Sequence, residues 1–88
     1  MMKSAEFIGK AKSLDILLGL QKSKLTFGRI KEITGNATTA SRRLKEMLKL
    51  GIVKRDFIED KLGTIEYRLT KKGRKIISII DELNKLDK

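Results

Sequence analysis

Residues 37–55, Ala37-Thr38-Thr39-Ala40-Ser41-Arg42-Arg43-Leu44-Lys45-Glu46-Met47-Leu48-Lys49-Leu50-Gly51-Ile52-Val53-Lys54-Arg55, change their apolar period partway along. Up to Leu50 the period is helical. Relative to Leu44, the side chains of Ala37, Ala40, Met47 and Leu48 fall within about 60°. Thr38, Thr39, Arg42, Glu46 and Lys49 fall on the opposite side, with Arg43 and Lys45 flanking that face at about 100°. Asn36 or Thr38 supplies the N-cap oxygen, and Gly51 is a natural stop. Past Gly51 the period becomes two: Val53, Arg55 and Phe57 alternate with Lys54 and Asp56, which predicts a strand over 52–58.

Outward from this stretch the pattern continues on both sides. Downstream, 59–63 is a polar turn, and Ile65, Tyr67 and Leu69 alternate with Glu66 and Arg68 as a returning strand. Thr70 then caps a last helix carrying Ile76, Ile77, Ile79, Ile80, Leu83 and Leu86, an apolar band too broad for one intramolecular stripe. Upstream, a brief helix over 28–34 turns Ile30 and Ile33 inward and ends at Gly35-Asn36. Leu25-Thr26-Phe27 is an extended bridge, and 4–21 reads as a first helix with Phe7, Ile8, Ala11, Leu14, Leu17 and Leu18 at helical spacing.

The 88 residues suffice for one domain, taken as 1–88. Cysteine, histidine and proline are absent, which removes disulfides, thiolate or imidazole metal sites, the cysteine nucleophile and the commonest general base. No cofactor, metal or enzymatic activity is expected. Twenty-one Lys and Arg against 11 Asp and Glu leave a net charge of +10. Its distribution is uneven. Residues 37–75 carry twelve basic and five acidic side chains, a net of +7, whereas 76–88 carry two and three, a net of −1. A middle segment facing an anion and a C-terminal segment facing protein follow from that division. Double-stranded DNA is the expected partner, by phosphate neutralisation. No apolar run approaches the ~20 residues of a spanning helix and the N-terminus has no signal-peptide core, so a cytoplasmic, nucleoid-associated protein without a membrane partner is expected. High Lys and Ile without Cys, His or Pro fits an archaeal or heat-adapted source.

Helix-turn-helix followed by a hairpin is the element order of a winged helix. Two stretches make the resemblance specific: 44–55, a helix-to-strand junction, and Glu66-Tyr67-Arg68-Leu69-Thr70-Lys71-Lys72-Gly73-Arg74, the end of a wing and the start of the next helix. With Leu25-Thr26-Phe27-Gly28-Arg29-Ile30 they are most similar to the HxlR family of prokaryotic regulators, with the MarR and PadR families close. The implied fold class is α+β, mainly α: a winged helix-turn-helix with a first helix, a helix-turn-helix at about 28–50, a two-stranded wing at about 52–69 and a C-terminal dimerisation helix at about 70–86. The resemblance implies a homodimeric transcription regulator reading a pseudo-palindromic DNA site. The sequence departs from the family in lacking the N-terminal cysteine that commonly senses electrophiles, and its Gly35-Asn36 turn looks about one residue short.

In such a fold the recognition helix, about 37–50, enters the major groove and the wing lies on the flanking backbone. Thr38, Thr39 and Arg42 are the base-edge candidates, since Arg forks onto guanine and Thr serves as donor, acceptor or methyl contact. Arg29, Lys31, Ser41, Arg43, Lys45, Lys54, Lys61, Arg68, Lys71 and Lys72 are the phosphate candidates. Each is weighed against an ordinary solvated surface residue. Arg55 shares a strand face with apolar Val53 and Phe57, which favours a partly buried stem. Glu46 points outward where phosphate would repel it, and could orient Arg42 or Arg43 instead. Phe7, Ile76, Ile79, Ile80, Leu83 and Leu86 are assigned to the dimer interface. Two other readings stay open: an architectural DNA binder with little sequence preference, and a protein-interaction winged helix.

Overall fold

The computed structural model describes residues 3–59 and 63–87. Its elements follow in the order α1 (Lys3–Ile8), α2 (Ser13–Lys22), β1 (Leu25–Thr26), α3 (Phe27–Thr34), α4 (Ala37–Lys49), β2 (Val53–Phe57), β3 (Ile65–Leu69) and α5 (Lys71–Leu86). The architecture is a winged helix-turn-helix. One apolar core unites the elements: Ile16, Leu17 and Leu20 of α2, Ile30 of α3, Ala40, Leu44 and Met47 of α4, and Ile76, Ile77 and Ile80 of α5. Phe7, Leu25, Ile52, Val53 and Leu69 complete it.

Polar side chains and glycines set the helix-turn-helix. Thr26 starts α3 one residue earlier than the sequence suggests, its hydroxyl accepting from the Arg29 N–H at 3.3 Å. Gly35, at φ 88°, ends that helix and returns its N–H to the Lys31 carbonyl at 2.8 Å. Asn36 is extended rather than left-handed, and its Oδ1 caps α4 by accepting from the Thr39 N–H at 2.7 Å. At the far end Gly51, at φ 73°, lets the Ile52 N–H reach the Met47 carbonyl at 2.8 Å while its own N–H reaches Leu48 at 3.2 Å. These two bonds are a Schellman stop, and they aim the chain directly into β2.

The start of α5 locks onto that stop. The Thr70 hydroxyl donates to the Gly51 carbonyl at 2.5 Å and accepts from the Gly73 N–H at 3.1 Å, while the Thr70 N–H donates to the Ile52 carbonyl at 2.9 Å. The approach is so close that a β-carbon at Gly73 would lie 2.4 Å from the Ile52 oxygen and 3.0 Å from Leu69 Cδ2. A glycine that looks like a defect in a helix's first turn is thus a packing requirement.

Two parts of the structure depart from the sequence expectation. The first helix is not continuous over 4–21 but breaks between α1 and α2, with Lys12 at φ 68°. Ser4 lies inside α1, which starts at Lys3, and so does not cap it. The break lets Phe7 turn into the core while α2 buries Ser13, Ile16, Leu17 and Leu20; Ala11, Leu14 and Leu18 stay outside. The wing also gains a third strand. β1 pairs antiparallel with β3 through Leu25↔Tyr67 and Thr26↔Glu66, giving the order β1-β3-β2. On β2 the inward alternation fades with distance from the body: Val53 is buried opposite Leu69, but Arg55 is exposed and Phe57 is 72% exposed.

Gly73→Ala is expected to destabilise the fold by about 1–3 kcal/mol through overpacking. Gly28→Ala, whose added methyl would meet only Thr26 Oγ1 at 3.9 Å, should be neutral or stabilising. Urea unfolding of the two variants checks the contrast, and equal effects would show that helix propensity rather than the close approach governs position 73.

Candidate nucleic-acid interface

The face of α4 turned away from the core is a polar ridge. Thr38, Arg42, Lys45 and Lys49 are all exposed, and their spacing of four, three and four residues stacks them in one stripe. Thr38 stands beside the helix N-terminus, where Asn36 fixes the backbone. Arg42 has no side-chain partner among the described residues. Thr39 and Ser41 are half-buried at the stripe's margins. Lys49 escaped the sequence assignment, although its place seven residues after Arg42 puts it in the same row.

Arg43 behaves differently from its neighbours. Its side chain is only 16% exposed, its Nε donates to the Ala11 carbonyl at 3.0 Å, and its NH1 meets Glu46 Oε1 at 2.5 Å. The other oxygen of Glu46 takes the Lys10 ammonium. Glu46 therefore orients Arg43, not Arg42, and the pair pins the α1–α2 corner to α4. Burial works to raise the Glu46 pKa, but the bonds from Lys10 and Arg43 outweigh it and hold the carboxyl below the usual glutamate range. Arg43 is thus withdrawn from the free phosphate set. Lys10, with no sequence signal linking it to α4, joins the site.

Several other phosphate candidates also have protein partners. The Lys72 ammonium donates to the Leu50 carbonyl at 2.7 Å, a cation satisfying the C-terminal end of α4. Arg68 reaches Asp56 at 2.7 Å, and Lys24 approaches the same carboxylate at 3.5 Å. That carboxylate offsets the like charges of Lys54 and Arg68, which sit opposite each other in the β2–β3 register. Arg29 pairs loosely with Glu32 at 3.4 Å, both side chains well exposed, so solvent screens the pair. Lys31, Lys45, Lys54 and Lys71 are exposed, and Lys61 lies outside the described residues.

The dimer assignment divides in two. Phe7 (1% exposed), Ile76 and Ile80 are spent inside their own chain's core, so they are not a surface. Ile79, Leu83 and Leu86 remain outside, exposed by 47%, 57% and 79%. Among the described residues no helix is long and apolar enough to cross a membrane.

A family model described as HxlR-like helix-turn-helix matches residues 7–88. An uncharacterized HTH-type transcriptional regulator of Methanothermobacter thermautotrophicus is 38% identical over 82 residues, spanning 89% of this chain and 60% of that protein. The chain therefore covers less than two thirds of that relative's length. The uncharacterized HTH-type transcriptional regulator YvaP of Bacillus subtilis is 33% identical over 85 residues, 94% of this chain and 79% of the relative. Among solved structures, the reduced form of the B. subtilis transcriptional regulator YodB superposes with a TM-score of 0.83 at 27% identity, covering 94% of this chain and 84% of that one.

The Glu46 cluster carries a pH signature. A carboxyl whose pKa is lowered by folding contributes stability that is full above its unfolded pKa and is lost as pH falls through the folded value. Glu46→Gln should therefore lower stability at neutral pH and flatten the acid side of the stability curve. Denaturant unfolding from neutral pH down through the carboxylate range checks this; parallel curves for the two proteins would rule it out.

Proposed function

The chain belongs to the HxlR-like helix-turn-helix family, and from that premise we propose that it is a DNA-binding transcription regulator that inserts α4 into the major groove. The observation that carries this reading is the exposed row Thr38, Arg42, Lys45 and Lys49 on a helix whose opposite face is locked in the core. An α-helix of ~10–12 Å diameter fits a major groove ~12 Å wide. Thr38 and Arg42, at the leading end, read base edges, with Thr39 beside them; Lys45, Lys49, Arg29 and Lys31 hold phosphates on either wall. Ser41 can add a hydroxyl contact to the backbone. The wing follows the flanking strand through Lys54 and Lys61, and Lys71 extends the contact at the start of α5. The protein acts by binding, without catalysis or cofactor, in the cytoplasm at the nucleoid.

The exposed strip Ile79, Leu83 and Leu86 on α5 supports a two-fold homodimer. Two recognition helices related in this way would read half-sites one DNA turn, ~34–36 Å, or a multiple of it apart.

Two outcomes test this reading. Genomic fragments selected by the protein should share a half-site, and Arg42→Ala should cost about 1–3 kcal/mol on the selected site and little on random duplex. Equal losses on both would assign the binding to the backbone alone, as in an architectural protein. In sedimentation at micromolar concentration the protein should run as twice its 10.0 kDa chain mass, and Leu83→Glu as a single chain. A wild type that sediments as a monomer overturns the dimer.

A further inference from the structure

Resting on the reading of α4 as a DNA-recognition helix, we propose that the α1–α2 corner is a further part of the DNA interface and that Glu46 controls it, holding Lys10 off the phosphate backbone and so restraining binding that ignores sequence.

One open concavity beside the exposed row of α4 is lined by Lys10, Arg42, Arg43, Lys45 and Glu46. Four cations and one carboxylate therefore share a surface that would adjoin the groove wall once α4 is inserted. Left to themselves, four cations there would neutralise phosphates of any sequence. Glu46 changes that balance. It takes Lys10 on one oxygen and Arg43 on the other, and it adds a negative charge that a phosphate must approach. Arg42 and Lys45 are left unpaired among the described residues.

The two held cations are not equivalent. Arg43 is largely enclosed and keeps a second anchor, the Ala11 carbonyl. The Lys10 side chain is 46% exposed, its residue sits on a corner outside the helices, and Glu46 is the ammonium's only partner among the described residues. Removing the Glu46 charge therefore leaves Arg43 in place and frees Lys10 to swing on its four-carbon stem toward phosphate. Sequence-independent affinity grows with the number of phosphates neutralised, whereas base reading depends on Thr38 and Arg42, at least one helical turn nearer the N-terminus. Glu46 thus sets the ratio between the two without touching a base.

The test measures binding to a pool of random-sequence duplexes across a salt series for wild type, Glu46→Gln, Lys10→Ala and the double variant. Glu46→Gln should bind more tightly and steepen the log–log salt slope by about 0.9, the value of one added phosphate contact. Removing Lys10 in that background should return the slope to that of wild type. Lys10→Ala alone should leave the slope unchanged, because Lys10 is already withheld. An unchanged slope in Glu46→Gln, or a steep slope that survives in the double variant, overturns the role of this pair while leaving the regulator reading intact. A lower slope for Lys10→Ala alone also overturns it, since Lys10 would then already touch DNA. Wild type that binds no duplex at any salt concentration overturns the regulator reading itself.

Discussion

The first turn of α5 lies against the Gly51-Ile52 backbone so closely that no side chain fits between them, and most of the architecture depends on that contact. At this joint the end of α4, the root of the wing and the start of the last helix meet. The Thr70 hydroxyl reads the stop of α4 and caps α5 at once, donating to Gly51 and accepting from Gly73. Lys72 adds a cation to the last exposed carbonyl of α4. Because backbone atoms make the contact, the angle between α4 and the wing is set with little freedom. A helix and a ribbon that engage one stretch of duplex together, as proposed for this chain, would need that fixed angle.

The electrostatics follow from how this frame distributes cations. Twenty-one Lys and Arg suggest a uniformly sticky surface, yet several of them are held by partners within the chain. Arg43 and Lys10 face Glu46, Arg68 and Lys24 face Asp56, and Lys72 faces a helix end. Among the described residues, the cations without a side-chain partner include Arg42, Lys45 and Lys49 on the outer row of α4, Lys31 on α3, and Lys54 and Arg55 on β2.

Local features were legible in the sequence and tertiary ones were not. α4, its Asn36 cap, its glycine stop and the Thr70 cap could be read because each signal lies within a few residues of what it determines. The break between α1 and α2 leaves no such mark. It contains no proline, and Lys12 adopts a left-handed conformation unusual for lysine. The corner is gripped instead by Arg43, 32 residues away, and by Glu46, 36 residues from Lys10. β1 is too short to show alternation and exists only because β3 passes beside it. On α5 the breadth of the apolar band was readable. Its division into core (Ile76, Ile77, Ile80) and exposed strip (Ile79, Leu83, Leu86) depends on neighbours no helical wheel contains.

The strand order β1-β3-β2 has a further consequence. With β3 in the middle, the sheet's open edges are a two-residue strand that runs straight into a helix and the outer side of β2. An open edge is a template for another copy's backbone, and this one ends beside an exposed aromatic, Phe57. Proline, a common guard of such edges, is absent from the chain. Lys54 and Arg55, adjacent and exposed on β2, are charges of the kind that guard an edge. Exposed cations on an edge strand discourage copies from joining sheet to sheet, a role for the wing's basic residues separate from any contact with phosphate.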